Sequence, residues 1–329
     1  MSTTNEQGLQ IWEVKTPYLN IHCKLGEGPH YEPSTNALRF VDIISKRLHT
    51  VSLSDPADLS TIQFDEAVTV TADIEGVDPS EKILVGAKQG IALLDRKEGK
   101  YEYLKRFEDG IVTQKDGERV KVKADLGRLR SNDGAVDPNG RFWVGTMTDF
   151  GLGDFKSEGH LYYFTGSSSK TDDASSAPTV VLSDLKIPNS VGWSPDSKTM
   201  YFTHSTEREV IAWDYDAANG GALSNKRVWY KHDGPGEPDG FRVDTEGNVW
   251  HAVYGESRVL KINKEGKLVG EVRLPTKNIT CVEFVGEELF ITTANDDEGE
   301  GESKELGGAL FRVHVGARGV GFGSGFKLE

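Results

Sequence analysis

Six times along this chain a short polar turn leads into an apolar strand: EPSTNALRFVD (32–42), DPSEKILVGA (78–87), DPNGRFWVGT (137–146), SPDSKTMYFT (194–203), DTEGNVWHAV (244–253) and VGEELFITTA (285–294). Their central residues Arg39, Leu84, Trp143, Tyr201, Trp250 and Phe290 lie 45, 59, 58, 49 and 40 residues apart, a spacing that suits one blade of a β-propeller. A second run follows each at hairpin distance, as in RLHTVSL (47–53), GIALLD (90–95), HLYYFT (160–165), EVIAWDYD (209–216), RVLKIN (258–263) and GALFRVH (308–314). No stretch of about 12 residues with helical period interrupts them. The pattern predicts an all-β chain: a single six-bladed β-propeller domain over residues 1–329, with four-stranded antiparallel blades. Two strands per blade are read directly, and the other two are inferred from the architecture.

A propeller must close its ring, and Leu9 to Val14 (about 9–14) is expected to do so by pairing with the last blade, which removes a sheet edge. Two polar segments, 166–178 and 295–305, read as loops by composition. The first is expected at an outer hairpin tip. The second reads as a solvated acidic loop ahead of a closing strand.

The 329 residues exceed a typical domain, but β architectures hold that many around one centre. Fifty-two acidic against 38 basic residues give a net charge of −14, which argues against nucleic acid and anionic lipid as partners. The basic stretch from Arg119 to Arg130 is broken by Asp125, has no interleaved aromatics, and reads as a solvated hairpin. Cys23 and Cys281 are too few for a disulfide framework or a Cys-rich zinc site. The polar start MSTTNEQGLQ has neither a basic nor an apolar signal region, and no window reaches the apolar length that spans a bilayer. A cytoplasmic protein with no membrane partner is expected, monomeric or a weak homodimer. The Asn278-Ile279-Thr280 sequon is then a chance match.

Standard catalytic patterns are missing: there is no G-x-S-x-G elbow, Walker A loop, dinucleotide fingerprint or H-E-x-x-H. Polar residues instead gather at four places: Leu25-Gly26-Glu27-Gly28-Pro29, Arg130-Ser131-Asn132-Asp133-Gly134, Ile187-Pro188-Asn189-Ser190 and Glu237-Pro238-Asp239-Gly240. Taken singly each is a good turn sequence. Each also stands at a similar offset ahead of a repeat's central residue, so the four occupy equivalent places in four blades and can converge on the channel. Converging Glu, Asn and Asp oxygens suit one divalent cation, Ca²⁺, Mg²⁺ or Mn²⁺, with Zn²⁺ possible when water completes the shell.

The motifs LGEGPHYE, RSNDGAVDPNGRFWVGTM, IPNSVGWSPDSKTMYFTHS, EPDGFRVDTEGNVWHAVYGESRVLKI and TCVEFVGEELFITTA, spread from about Leu25 to Val315, resemble the SMP-30/gluconolactonase/regucalcin-like (LRE) family. The resemblance implies a divalent metal in the central channel held by Glu27, Asn189 and Asp239, and substrate oxygens held by Arg130 and Asn132. Asp239 is the implied general base. Three departures stand out. Ser190 replaces the usual glycine after the ligand Asn and is expected to alter the rim. His204 replaces a frequent Asp, putting a supporting contact in doubt. Thr148-Asp149-Phe150 occupies a place where some members carry an acidic substrate contact, which makes Asp149 a candidate.

The activity implied is metal-dependent hydrolysis of a sugar (aldono-) lactone to its acid, a hydrolase reaction on a cyclic ester. A metal-dependent esterase or phosphotriesterase in the same pocket is the enzymatic alternative, favoured by a hydrophobic rim. A non-catalytic calcium-binding propeller is the alternative outside enzymes.

Overall fold

The computed structural model describes residues 2–4, 8–113, 119–122, 124–166, 177–321, 323 and 325–328. Each turn-and-strand unit of the sequence forms the second strand of a blade: Ala37–Asp42, Lys82–Ala87, Phe142–Thr148, Thr199–His204, Val249–Tyr254 and Glu288–Thr293. The following runs form the third strands, Arg47–Ser52, Gly90–Asp95, Gly159–Phe164, Glu209–Asp216, Arg258–Ile262 and Phe311–His314. Inside them, lining the channel, run Gly26–Glu32, Val68–Ala72, Leu129–Val136, Pro188–Trp193, Glu237–Val243 and Ile279–Val285. Among the described residues, five blades add an outer fourth strand, and the sixth has three strands beside a bridge between Leu310 and Leu19.

The repeated turn has a chemical reason. Asp137 Oδ1 accepts from the Asn139 and Arg141 amides, each at 2.9 Å, and Oδ2 from the Trp143 indole at 2.8 Å. Asp244 does the same for the Glu246 and Asn248 amides and, at 2.9 Å, for the Trp250 indole. One carboxylate thus satisfies a tight turn and the buried donor of the strand it introduces.

The core is a ring of seams between neighbouring blades. Val41, Leu48, Val68 and Ile83 join blades one and two; Leu84, Phe142, Tyr162 and Phe164 join two and three. Trp143, Phe202 and Trp213 fill the next seam, and Tyr201 and Phe241 the one after. Because each sheet is covered on both faces, the second strands are buried almost throughout, which is why they read as continuous apolar runs.

The N-terminal strand departs from expectation. Gln10–Glu13 pairs in parallel with Leu268–Arg273, so it is a fifth strand on the fifth blade and not a member of the last. Trp12 drives this choice: it is buried against Trp250, with ring centroids 5.1 Å apart. The sixth blade is met a few residues later, where the Tyr18 and Leu19 amides donate to Leu310 O at 2.8 and 3.1 Å.

At the other chain end, the described residues between 319 and 328 run beneath the inner strands. Gly319 bridges Asp244, Phe326 bridges Ile74 and Leu328 bridges Gly166. A cavity of about 200 Å³ lies between this tail and the ends of the inner strands, lined by Val191, Trp193, Phe284 and Val320 among others.

Of the two polar segments, 167–176 lies outside the described residues. The acidic segment contains a short helix, Gly301–Leu306, tied down where Ser303 Oγ donates to Asp296 Oδ2 at 2.6 Å. The basic stretch opens as one strand of a hairpin, Arg119–Lys121 against Ile111–Thr113. Among the described residues no helix is long and apolar enough to cross a membrane.

Candidate active site

The four polar places singled out in the sequence are not turns ahead of strands. They are the first residues of the inner strands themselves, and each contains a register shift. Gly28-Pro29 face the single residue Phe40; Asn132-Asp133 face Gly145; Asn189-Ser190 face Thr203; and Asp239-Gly240 face Ala252. Blades two and six shift at the same level, around Thr69 and Thr280. A bulge re-aims the side chains beside it. Six bulges at one level explain how residues drawn from the whole chain reach one end of the channel.

Glu27, Arg130, Asn132, Asn189 and Asp239 all come together there, each buried. Asn189 Nδ2 contacts Asp239 Oδ1 and donates to Ser205 Oγ at 3.2 Å. Asn132 Nδ2 donates to Pro188 O at 2.9 Å, and its Oδ1 accepts from Arg130 Nη1 at 3.0 Å. Arg130 Nη1 also reaches Ser131 O at 2.6 Å and Nη2 reaches Met147 Sδ at 3.3 Å, which leaves Nε without a hydrogen bond. The Phe150 ring covers its guanidinium at 4.3 Å.

Asp149, the candidate acidic contact, lies at this mouth but is engaged: Lys88 Nζ is 2.6 Å from its Oδ2, and Arg130 Nε stands 3.8 Å from its Oδ1. Lys88 follows the second strand of blade two as Asp149 follows that of blade three. That shared phase was available in the sequence and would have paired them.

Two departures resolve differently from expectation. Ser190 is no rim residue: it is fully buried, its Oγ donates to Asp133 Oδ2, and it accepts from the Phe241 amide at 3.0 Å. His204 turns away from the channel, with Nε2 accepting from the Lys186 amide at 3.3 Å. Its neighbour Ser205 supports Asn189 instead.

Burial dominates the electrostatics. It pushes Glu27 up to about 8, with the Asp133 carboxylate adding to the rise. Asp239 stands well above the usual carboxylate range, first through burial and then through Glu27 and Asp133. Arg130 is lowered to about 10 by burial, opposed by Asp149, Glu27 and Asp239. Crowded, desolvated carboxylates of this kind are what a divalent cation relieves. Asn189 Oδ1 accepts from the Ser190 amide at 3.0 Å, and a half-turn of the side-chain amide would give up that bond to present Oδ1 in place of Nδ2 towards Asp239, completing an all-oxygen donor set. The residues present therefore fit such an ion.

A second group, Cys23, Asp42 and His49, has ligand atoms within 4.8 Å of one another. Asp42 there accepts from the Lys24, Leu25 and Ser45 amides and His49 Nδ1 meets Thr61 Oγ1, so it fastens the entry to the first blade.

Residues 25–295 match the model of the SMP-30/Gluconolactonase/LRE-like region. Similar proteins include Regucalcin of Xenopus laevis, 32% identical with 90% of this chain and 93% of that one covered. Pentonolactonase XacC of Haloferax volcanii is 29% identical, covering 92% and 95%. Among solved structures, a luciferin-regenerating enzyme is 30% identical with a TM-score of 0.74, over 95% of this chain and 100% of that chain.

Proposed function

The chain belongs to the SMP-30/gluconolactonase/LRE-like family, and from that premise we propose that it hydrolyses a sugar lactone to the aldonic acid with the help of one divalent cation. The observation that carries this reading is the convergence of Glu27, Asn189 and Asp239 beside Arg130 and Asn132 on four bulged inner strands. The names of relatives support it, among them Pentonolactonase XacC and an L-arabinolactonase of Azospirillum brasilense.

Glu27, Asn189 and Asp239 would hold the cation, whether Ca²⁺, Zn²⁺, Mn²⁺ or Mg²⁺. When bound, it would polarise the lactone carbonyl and stabilise the developing oxyanion. The chain's own residues do the rest. Arg130, whose Nε makes no hydrogen bond and has the Asp149 carboxylate 3.8 Å away, and Asn132 orient the substrate's oxygens. Asp239 accepts a proton from water as the water oxygen bonds to the carbonyl carbon. The ring C–O bond then breaks, and the same proton passes to the departing ring oxygen. Atoms and charge balance without a covalent intermediate on the protein.

Acid release from a panel of aldonolactones, with metal-stripped and metal-restored protein, tests the reading. Activity that appears only on restoration is expected. Equal rates in both states, or turnover of no lactone, would overturn it.

A further inference from the structure

Asp149 stands between two cations at the mouth. Its Oδ2 takes Lys88 Nζ at 2.6 Å, and its Oδ1 accepts from the Phe150 amide at 2.8 Å. Held at both oxygens, the carboxylate stops 3.8 Å from Arg130 Nε, outside hydrogen-bond reach. The Nη groups of Arg130 are turned to Ser131, Asn132 and Met147, and Nε is the buried donor left without a hydrogen bond. The pull between the two is nevertheless strong: Asp149 leads Glu27 and Asp239 among the charges that oppose the effect of burial on Arg130. A carboxylate this close to an unused guanidinium donor needs a shift of only about 1 Å to form a charge-assisted bond.

Resting on the lactonase reading above, we propose that Lys88 is a positioning residue: by holding Asp149 Oδ2 it keeps that carboxylate off Arg130 Nε, and so keeps the guanidinium donor for the substrate's oxygens. Lys88 reaches in from the end of Lys82–Ala87 on blade two, and Asp149 follows Phe142–Thr148 on blade three. Without the lysine's charge, the carboxylate would turn to Nε and occupy it. The lactone would then lose a bond made in the bound and transition states alike, which raises KM and leaves kcat nearly unchanged.

The full chain allows a kinetic and a spectroscopic test. With metal-loaded protein and a lactone that the wild type turns over, Lys88→Met is expected to raise KM about tenfold with kcat within about twofold. Lys88→Arg, which keeps the charge, should restore most of the affinity. On Asp149→Asn protein, Lys88→Met should have no further effect. The NMR signal of the Arg130 Nε–H, which needs no substrate, should move downfield in Lys88→Met as the new bond forms, and should not move when the same change is made on Asp149→Asn protein. A KM unmoved by Lys88→Met, a loss in kcat in its stead, or no rescue by Lys88→Arg overturns the inference. So does an equal rise in KM on Asp149→Asn protein, since Lys88 would then touch the substrate directly. An Nε–H signal that stays in place in Lys88→Met overturns it whatever the kinetics. If the signal moves as expected and no lactone is turned over, the lactonase reading falls while the restraint of Asp149 by Lys88 stands.

Discussion

The hydroxyl of Ser190 on the fourth blade donates to the Asp133 carboxylate on the third. The same oxygen accepts from the Phe241 amide of the fifth, so one buried side chain joins three blades beside the candidate cation ligands. Truncation would leave a buried N–H and a buried carboxylate oxygen each short of a partner. Ser190→Ala is therefore expected to lower stability by about 1–3 kcal/mol, seen as a lower urea midpoint with an unchanged slope. An unaltered midpoint would show that water takes the hydroxyl's place without cost.

Asp239→Asn should separate chemistry from folding. Losing the base is expected to reduce lactone hydrolysis by about 10²–10⁴-fold. The neutral amide also removes one of the crowded buried charges, so the metal-free variant should unfold at a higher temperature than wild type at pH 8. Hydrolysis within tenfold of wild type would remove Asp239 from the proposed role.

Glu27 gives a pH signature whose sign follows from its raised value of about 8. A carboxyl that holds its proton more tightly folded than unfolded stabilises fully below the ordinary glutamate range and loses that contribution as pH rises through about 8. The metal-free wild type should thus weaken relative to Glu27→Gln between pH 5 and pH 8. Thermal melts of both proteins at several pH values would show the gap widen. A gap constant with pH would contradict the buried, crowded state of Glu27.

Trp12 anchors the added strand on blade five. It is 3% exposed and packs on Trp250. Trp12→Ala should cost about 3–5 kcal/mol in chemical denaturation, comparable to losing a core aromatic although it stands near the chain terminus. A loss below about 1 kcal/mol would mean that this strand is dispensable.

The parts of the fold that were legible are those with faces covered by protein. Trp143, Trp250 and Phe290 lie in strands whose neighbours bury them on both sides, so hydrophobicity marks them plainly. Glu27, Asn132, Asn189 and Asp239 lie in strands whose first residues face a polar channel across bulges. Gly, Pro, Asn and Asp favour a bulge as they favour a turn, and the sequence could not tell the two apart. Their common phase still brought out the convergence. The place of Gln10–Glu13 escaped because its apolar run shows that it must be covered, not by which blade. Ser190 escaped because a serine carries no mark of burial; only its two partners, 57 and 51 residues away in sequence, reveal it.

The C-terminal tail has a consequence for traffic. Among the described residues, Gly319, Phe326 and Leu328 bridge the ring at the end of the inner strands opposite the mouth beside Arg130 and Phe150. On the proposed lactonase reading, an acid formed at Asp239 would depart past the same side chains that admitted the neutral lactone. Once the acid so formed loses its proton to water, a guest that entered without charge would be an anion beside Glu27, Asp133 and Asp239, and that repulsion would weaken the product's hold.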